Sequence, residues 1–365
     1  MRSLRTYVTG RRGVAAAGAI VAALVATFLT LASVAAAAPA PAAVSPDFNK
    51  PGNVLISDQY NNRVIEVTPT GKIVWTFGNG SAVPGPHSVV GVNDAERLSG
   101  GRTLIAGTGV PAGAPSPEPP GGAADNRVFI VSRTGHIVWQ YGMAGVTGSG
   151  KDQLNTPVQA TFIPGGDVLI TDQGNQRVIL VNREKHIVWQ FGKTGVAGSG
   201  FDRLNNPNSA ELLRNGHVLI ADESNNRVIE VTMAKHVVWS YGSPKSSKLS
   251  GAAFASRLAN GDTLITDSNH NRIVEVTKAK HVVWEFRTDK RAGSVANPLP
   301  TRAVRLRNGD TLISDQNNNQ VILVNHAKKI VRQFGTIAMA GNTGGLLNGP
   351  YDAKVIGDFT GLTRP

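Results

Sequence analysis

The sequence contains no cysteine among its 365 residues. Disulfide bonds are therefore excluded, and burial within a large core must supply the stability. Aromatic residues make up only 6% of the chain and charged residues only 17%. After residue 45 no segment shows a convincing helical period, which argues against a helical fold and favours strands.

The first 45 residues differ in composition from everything after them. Four arginines precede an apolar run over residues 14–38 that carries no charge and ends in small residues. The four are Arg2, Arg5, Arg11 and Arg12. This order is typical of a secretory signal peptide, but a run of this length can also span a bilayer as an uncleaved anchor. We expect residues 1–38 to be a signal peptide or a membrane anchor, 39–50 a linker and 51–365 the folded domain.

The chain is basic, with a formal net charge of +12. The leader holds four of the 37 basic residues and none of the 25 acidic ones, so the remainder carries about +8. Such a charge favours anionic partners, and outside a cell these are phospholipid headgroups or wall polymers before nucleic acid. Ordinary solubility explains the same charge, and both interpretations stay open.

One sequence unit recurs six times. Two clear copies are NVLISDQYNNRVIEVTPTGKIVWTFG from Asn53 and DVLITDQGNQRVILVNREKHIVWQFG from Asp167. All five tryptophans fall at one position of the unit, with Arg332 in the sixth copy, at spacings of 64, 50, 50, 45 and 48 residues. A period of this length is typical of propeller blades. The sequence therefore predicts an all-β, six-bladed β-propeller with four-stranded antiparallel blades.

The two ends of the chain are expected to complete one blade. A strand upstream of each VLI run holds an alanine in all six copies, and a small residue suits the crowded innermost strands. The last such strand, GPYDAKVI over residues 349–356, has no unit after it, and the first unit has none before it. Because propellers avoid an open edge, we expect this tail to pair with the strand around Val54 to Ile56.

The linkers FGKTGVAGSGFDRLNNP and YGMAGVTGSGKDQLNTP, together with the DxxNNRV turns, resemble the NHL repeat. The resemblance covers about residues 50 to 357. Gly107 replaces the turn aspartate in one copy and Gln320 the turn arginine in another. Membership would imply a propeller but no particular reaction, because NHL-like propellers include binding modules, scaffolds and a few lyases.

Two repeated columns of polar residues are expected to be structural. The turn aspartates and arginines recur in nearly every copy, whereas a catalytic residue is needed only once. His136, His186, His236 and His281 stand at the head of the outermost strand, where neighbouring blades are at least about 14 Å apart, too far to share a metal ion. We therefore predict no metal site, no cofactor and no catalytic residue.

The inner strands are the best candidates for a site, because only they converge on the axis and their polar residues differ from blade to blade. The candidates for ligand binding are Asp94, Glu96, Gln159, Asn208, Glu211, Arg302, Tyr351, Asp352 and, in a loop expected near the channel, His87. The alternative is a water-filled channel lined by salt bridges. The Pro/Gly-rich stretch 110–122 is expected to be a floppy excursion of the second blade.

Two classes of function remain open. The first is an exported, monomeric, non-catalytic propeller that binds a ligand or partner protein at the channel mouth, with an anionic cell-surface polymer as one candidate, no nucleic acid, and membrane contact only through the N-terminal segment. The second is a propeller enzyme. The NHL-like lyases use a metal and histidines near the axis, and arylsulfotransferase-type propellers, which AELLRNGHVLIAD resembles, use a histidine as acceptor.

The uncharged apolar run of the leader predicts that the mature protein lies outside the cytoplasmic membrane. N-terminal sequencing of the native protein should find a start close to residue 39, or an intact N-terminus in the membrane fraction. A full-length, soluble, cytosolic product would contradict the prediction.

Overall fold

The computed structural model describes residues 44–115 and 118–358. The predicted leader therefore lies outside the described residues, as do residues 116, 117 and 359–365. Within the described part, the chain forms six antiparallel sheets of four strands each. No helix in these residues is long and apolar enough to cross a membrane.

The strands fall into four sets, from the axis of the ring outwards. The innermost are β24 (Pro350–Val355), β4 (Val92–Arg97), β8 (Pro157–Phe162), β12 (Pro207–Leu212), β16 (Ala252–Arg257) and β20 (Pro300–Arg305). The second are β1 (Val54–Asp58), β5 (Thr103–Val110), β9 (Val168–Asp172), β13 (Val218–Asp222), β17 (Thr263–Asp267) and β21 (Thr311–Asp315).

The third set and the outermost set complete each sheet. The third strands are β2 (Arg63–Val67), β6 (Ala123–Val131), β10 (Arg177–Val181), β14 (Arg227–Val231), β18 (Arg272–Val276) and β22 (Gln320–Val324). The outermost are β3 (Ile73–Phe77), β7 (Ile137–Tyr141), β11 (Ile187–Phe191), β15 (Val237–Gly242), β19 (Val282–Arg287) and β23 (Ile330–Phe334). Blade 1 is β24 with β1–β3, and blades 2 to 6 follow in chain order.

The predicted fold class is confirmed, including the closure of blade 1 by the C-terminal strand. Strand β24 pairs antiparallel with β1, with Val355 opposite Val54 and Ala353 opposite Ile56. The ring thus joins residues that lie about 300 positions apart in the sequence.

The repeated aspartate and arginine fix the turn between the second and third strands. In four blades the arginine Nε lies 2.7 Å from the aspartate, as for Arg63 and Asp58. The other aspartate oxygen accepts a backbone N–H from the loop that leads into the same blade's inner strand, as Asp172 does from Asn155 at 2.8 Å. This pattern confirms the structural interpretation of both columns.

The two blades that lack a member of this pair are repaired by other residues. In blade 2 Gly107 replaces the turn aspartate, and Asp125 from the neighbouring strand occupies the space that a side chain at residue 107 would fill. Asp125 then pairs with Arg127. In blade 6, where Gln320 replaces the arginine, Arg291 contacts both Asp315 and Gln320.

The tryptophan position joins each blade to the next one. In all five cases the indole Nε1 donates to a backbone carbonyl in the turn before the outermost strand of the following blade, at 2.9 to 3.3 Å. The tryptophans are Trp75, Trp139, Trp189, Trp239 and Trp284. Their repetition therefore reflects blade-to-blade contact and needs no functional explanation.

Truncation after Asn348 should leave an unstable or aggregating protein. The deletion removes β24, exposes the edge of β1 and uncovers Val54 and Ile56, which are buried. Burial of each such side chain contributes roughly 1.5 to 3 kcal/mol, so the total loss approaches the margin of about 5 to 15 kcal/mol that a typical domain has. A thermal melt checks this: cooperative unfolding at the wild-type Tm would show that β24 does not close the ring.

Candidate functional site

Each innermost strand pairs with a neighbouring strand along one edge only. The N–H groups on its other edge face the axis and have no strand partner. Side chains of the preceding blade accept these donors. Asp94 Oδ2 accepts from the N–H of Ala160 at 3.1 Å, and Gln159 Oε1 accepts from Ala210 at 2.8 Å. The same contact joins Ser209 to Ala255 and Asp352 to Ala95. These polar residues therefore hold neighbouring blades together.

Blades 5 and 6 carry no acceptor at that position, because Phe254 and Arg302 stand there. The Arg302 guanidinium lies over the Phe254 ring, 4.2 Å from its centroid, and reaches two other blades. Its Nη2 is 2.6 Å from Asp94, and its Nε is 2.6 Å from Asp352. Lys354 Nζ lies 2.7 Å from Asp94 and 2.5 Å from Asp352.

These four charged residues, Asp94, Arg302, Asp352 and Lys354, form an axial ion cluster that is almost fully buried. Two cations balance two carboxylates. Burial raises the pKa of Asp94 despite Lys354 and Arg302. Burial also acts on Asp352, but there Arg302 and Lys354 outweigh it and the pKa is lowered. The cluster is largely paired internally, and this favours a structural role over ligand binding for Asp94, Arg302 and Asp352.

Glu96 and Glu211 occupy a second level of the axis, two residues further along their strands. Glu96 Oε2 accepts from the N–H of Phe162, and Glu211 Oε2 from that of Arg257, both at 3.0 Å. Burial raises the pKa of Glu96 to about 8, against the opposing charge of Lys354. Burial also raises the pKa of Glu211 well above its ordinary value. Both carboxyls thus also hold neighbouring blades together.

The inner strands begin at the same end of the ring as the Asp–Arg turns, and we call this end the turn-side mouth. A tyrosine extends across the axis there. Tyr351 belongs to blade 1, and its hydroxyl lies 2.9 Å from the amide nitrogen of Asn208 in blade 4, on the opposite side of the ring. The same amide nitrogen donates to Glu223 at 2.8 Å. Gln173 Nε2 lies 3.4 Å from Glu223. Tyr351 and Glu223 are only half-buried.

The stretch 110–122, expected to be an excursion of the second blade, begins and ends at paired strands. Strands β5 and β6 extend as a hairpin, with Val110 opposite Ala123, and residues 116 and 117 lie outside the described part. Of the described residues beyond this pairing, Glu118 contacts blade 1. There Glu118 accepts a hydrogen bond from Asn62 Nδ2 at 2.7 Å, while its Oε2 is buried without a partner in the described part of the chain. The Glu118 charge acts on Tyr60 and raises the pKa of its hydroxyl, to which burial contributes most.

Hydrogen bonds join Tyr351, Asn208 and Glu223, and the charge of Glu118 acts on Tyr60 in blade 1; we call these five residues the mouth residues. Sequence reasoning identified Asn208 and Tyr351 but missed the other three residues. Glu223 follows the turn aspartate of its copy, where the six copies have Gln59, Thr108, Gln173, Glu223, Ser268 and Gln316. This position varies from blade to blade as the inner strands do, and that variation was the available signal.

His87 lies away from the channel, contrary to the expectation. It is exposed, and its ring centroid is 6.2 Å from that of His136, which precedes the outermost strand of blade 2. The four repeated histidines are exposed at the heads of their outermost strands, as predicted. Among the described residues, no three histidine, aspartate or glutamate side chains are placed to share a metal ion.

No protein-family model matches the sequence, and no curated protein matches it. Solved structures do match. Virginiamycin B lyase from Staphylococcus aureus is 15% identical over 80% of this chain and 83% of that one, with a TM-score of 0.52. A protein of unknown function from Bacteroides caccae is 15% identical over 82% and 98%, with a TM-score of 0.56. A chain of the nidogen–laminin complex is 10% identical over 86% and 99%, with a TM-score of 0.54.

These similarities show the fold alone. The neighbours are six-bladed β-propellers that include a lyase and a chain of the nidogen–laminin complex, and at 10 to 15% identity they assign no activity to this chain.

Replacement of Glu96 by glutamine should flatten the pH dependence of stability. The pKa of Glu96 is raised in the folded state, so the folded protein holds a proton that the unfolded chain releases above pH about 4.5. Wild-type stability should therefore fall relative to the variant as the pH rises towards 8, by at most about 1.4 kcal/mol per pH unit. Urea unfolding at pH 5, 6, 7 and 8 measures this difference. Parallel curves for the two proteins would refute the raised pKa.

Proposed function

We propose that this chain is an exported, non-catalytic propeller of the NHL-repeat kind that recognises a ligand or partner at its turn-side mouth. One observation carries the proposal. The mouth is where the six-fold repeat gives way to side chains that vary between blades and where several of them remain partly accessible, as Tyr60, Glu223 and Tyr351 do. Further along the axis the polar groups are buried and satisfy each other.

The NHL assignment is supported by the local structure of the repeat. In blades 1, 3 and 4 the aspartate, the asparagine and the arginine of the turn make the same contacts, as Asp222, Asn225 and Arg227 do at 2.7 Å. The loops that lead into the inner strands are anchored to these turns. Such contacts explain why this turn sequence recurs.

Export is supported by the sequence of residues 1–38, and we propose a secreted or membrane-anchored protein with a linker over residues 39–50. The net charge of the remainder supports an anionic wall polymer as a partner of the outer surface. We propose a monomer without nucleic-acid binding. The enzyme alternative gains no support from the geometry: His87, the one histidine expected near the channel, lies beside His136 at the outermost strand of blade 2.

Blocking the turn-side mouth should abolish ligand binding. Ser224 is exposed next to Glu223, and a Ser224→Trp substitution would place a large side chain at the mouth. Ala234→Trp is the matched control, because Ala234 is exposed in the same blade at the opposite end. Thermal shift with a panel of neutral oligosaccharides, alkylammonium compounds and phosphodiester polymers measures binding. A ligand at about 100 times its Kd stabilises by about 2.7 kcal/mol, several degrees in Tm.

We expect at least one class of ligand to raise the Tm of the wild type and of Ala234→Trp but not that of Ser224→Trp. If every shift survives in Ser224→Trp, or if no class shifts the wild type at all, the mouth is not a binding face for these chemistries and the proposal fails.

A further inference from the structure

The positive charge that remains after the leader is concentrated in six short turns. They join the third strand of each blade to the outermost strand, and we call them the outer turns: residues 68–72, 132–136, 182–186, 232–236, 277–281 and 325–329. Together they hold nine lysines and arginines and one acid, Glu184. The rest of the chain after the leader has 24 basic and 24 acidic residues. Solubility alone does not require such a separation, so the outer turns are the basic surface of the protein.

Blades 5 and 6 differ from the others in how the lysines of their outer turns are compensated. In blades 1, 3 and 4 an outer-turn lysine has an ion pair, as Lys72 has with Asp47 at 3.1 Å and Lys235 with Asp202 at 3.2 Å. In the part of the chain that the structure describes, no ion pair involves the four exposed lysines of blades 5 and 6, Lys278, Lys280, Lys328 and Lys329. Four uncompensated cations therefore lie in two neighbouring blades.

A groove of about 500 Å³ lies at the boundary between blades 5 and 6. One wall is the end of β19 with the loop after it, and the other is the outer turn of blade 6 with the first residue of β23. The lining includes one carboxylate, Glu285, and four cations, Arg287, Lys290, Arg291 and Lys328. The groove therefore carries an excess of positive charge.

The cations of this groove are placed by a loop that departs from the repeat. Arg287 stands where the other five copies have glycine, and its guanidinium contacts Asp289 at 2.8 Å. Arg291 repairs the turn of blade 6 and is half-buried. Lys290 is 70% exposed and lies 3.6 Å from Asp289, which Arg287 already contacts. Lys290 and Lys328 thus keep their charge available to an external anion.

Lysines lie at the other end of β19 as well. Lys278 and Lys280 belong to the turn that leads into this strand, whereas the groove lies beside its last residues. A strand of this length spans about 20 Å, and the outer edge of β19 pairs with no other strand of the described blades. A chain of repeated anionic groups can contact both sets of cations, whereas a single small anion can contact only one.

We propose that the groove between blades 5 and 6, with the lysines of the two adjoining outer turns, binds a phosphodiester polymer of the cell wall. The inference rests on the proposed function, because it names the chemistry and the site of the wall polymer proposed there. Arginine binds phosphate through its planar fork and lysine as a point charge. A lipid bilayer is less favoured, because the exposed apolar side chains of β19 are Val282 and Val283, not the aromatic and leucine side chains typical of membrane-inserting surfaces.

Calorimetric titration with a short poly(glycerol phosphate) tests the proposal, beside monomeric glycerol phosphate and vesicles that contain phosphatidylglycerol. The wild type should bind the polymer more tightly than either of the others. Its affinity should fall steeply with salt, because each phosphate that a cation neutralises releases counterions. The triple variant Lys290→Gln, Lys328→Gln, Lys329→Gln should bind the polymer about tenfold more weakly or worse, with a shallower salt dependence.

A second triple variant, Lys151→Gln, Lys193→Gln, Lys245→Gln, is the matched control. It removes the same net charge from exposed lysines in the loops between other blades. A general loss of positive charge would affect the two triple variants equally, whereas a site in the groove leaves the control with the affinity and salt dependence of the wild type. Circular dichroism confirms that each variant is folded before titration.

The outcomes separate this inference from the proposed function. Equal weakening in the two triple variants, or binding of glycerol phosphate or of vesicles at least as tight as that of the polymer, would overturn the groove. If the polymer does not bind at all, the groove and the wall-polymer partner both fail, and recognition at the mouth is judged by its own ligands. Ser224→Trp should bind the polymer as the wild type does. If it loses the polymer, the polymer is a ligand of the mouth, and the groove proposal fails while the proposed function stands.

Discussion

The free inner edge of each blade is the constraint on which the rest of the structure depends. Six strands converge on the axis, and the N–H groups of their axial edges have no strand to pair with. A buried donor without an acceptor costs about 1 to 3 kcal/mol, and at four of the six blade interfaces the preceding blade supplies a side-chain oxygen. Asp94, Gln159, Ser209 and Asp352 do so for the alanine of the next strand. The small alanine allows neighbouring inner strands to approach each other, and the acceptor stabilises this contact by bonding the N–H group.

The outer parts of the blade interfaces are of two kinds, and in each kind the two facing side chains match in character. At three interfaces a glutamate of the third strand pairs with an arginine at the end of the next blade's inner strand, and the arginine lies 4.6 to 5.2 Å from the centroid of the tryptophan ring. These pairs are Glu66 with Arg97, Glu230 with Arg257 and Glu275 with Arg305. At the other three interfaces both positions are apolar: Ile130 with Phe162, Leu180 with Leu212 and Leu323 with Val355. No interface leaves a charge opposite an apolar group, since an unpaired buried charge would be strongly destabilising.

The fold could be predicted from the sequence because its determinants are local and repeated. The Asp–Arg turn, the alternating strands and the tryptophan all occur within one unit of about 26 residues, and the period gives the number of blades. The site could not be predicted as fully, because it depends on contacts across the ring. Tyr351 meets Asn208 across 143 positions, and Glu118 reaches blade 1 only because β5 and β6 extend as a hairpin. His87 was misplaced for a related reason: the sequence shows only that its loop precedes an inner strand, whereas its ring lies beside His136 at the outermost strand of blade 2.

The same constraint separates structural from recognition residues along the axis. A polar residue that differs between blades looks like a binding residue in the sequence, yet Asp94, Arg302 and Asp352 differ because two blades lack an acceptor and Arg302 takes its counter-ions from two other blades. Asymmetry alone is therefore a poor guide to a site in this fold. What distinguishes the mouth is that its varying polar side chains stay partly accessible, as Tyr60, Glu223 and Tyr351 do. In a repeat protein whose buried polar groups bond to one another and to the backbone, a varying polar group that remains accessible is the stronger indication of an external ligand.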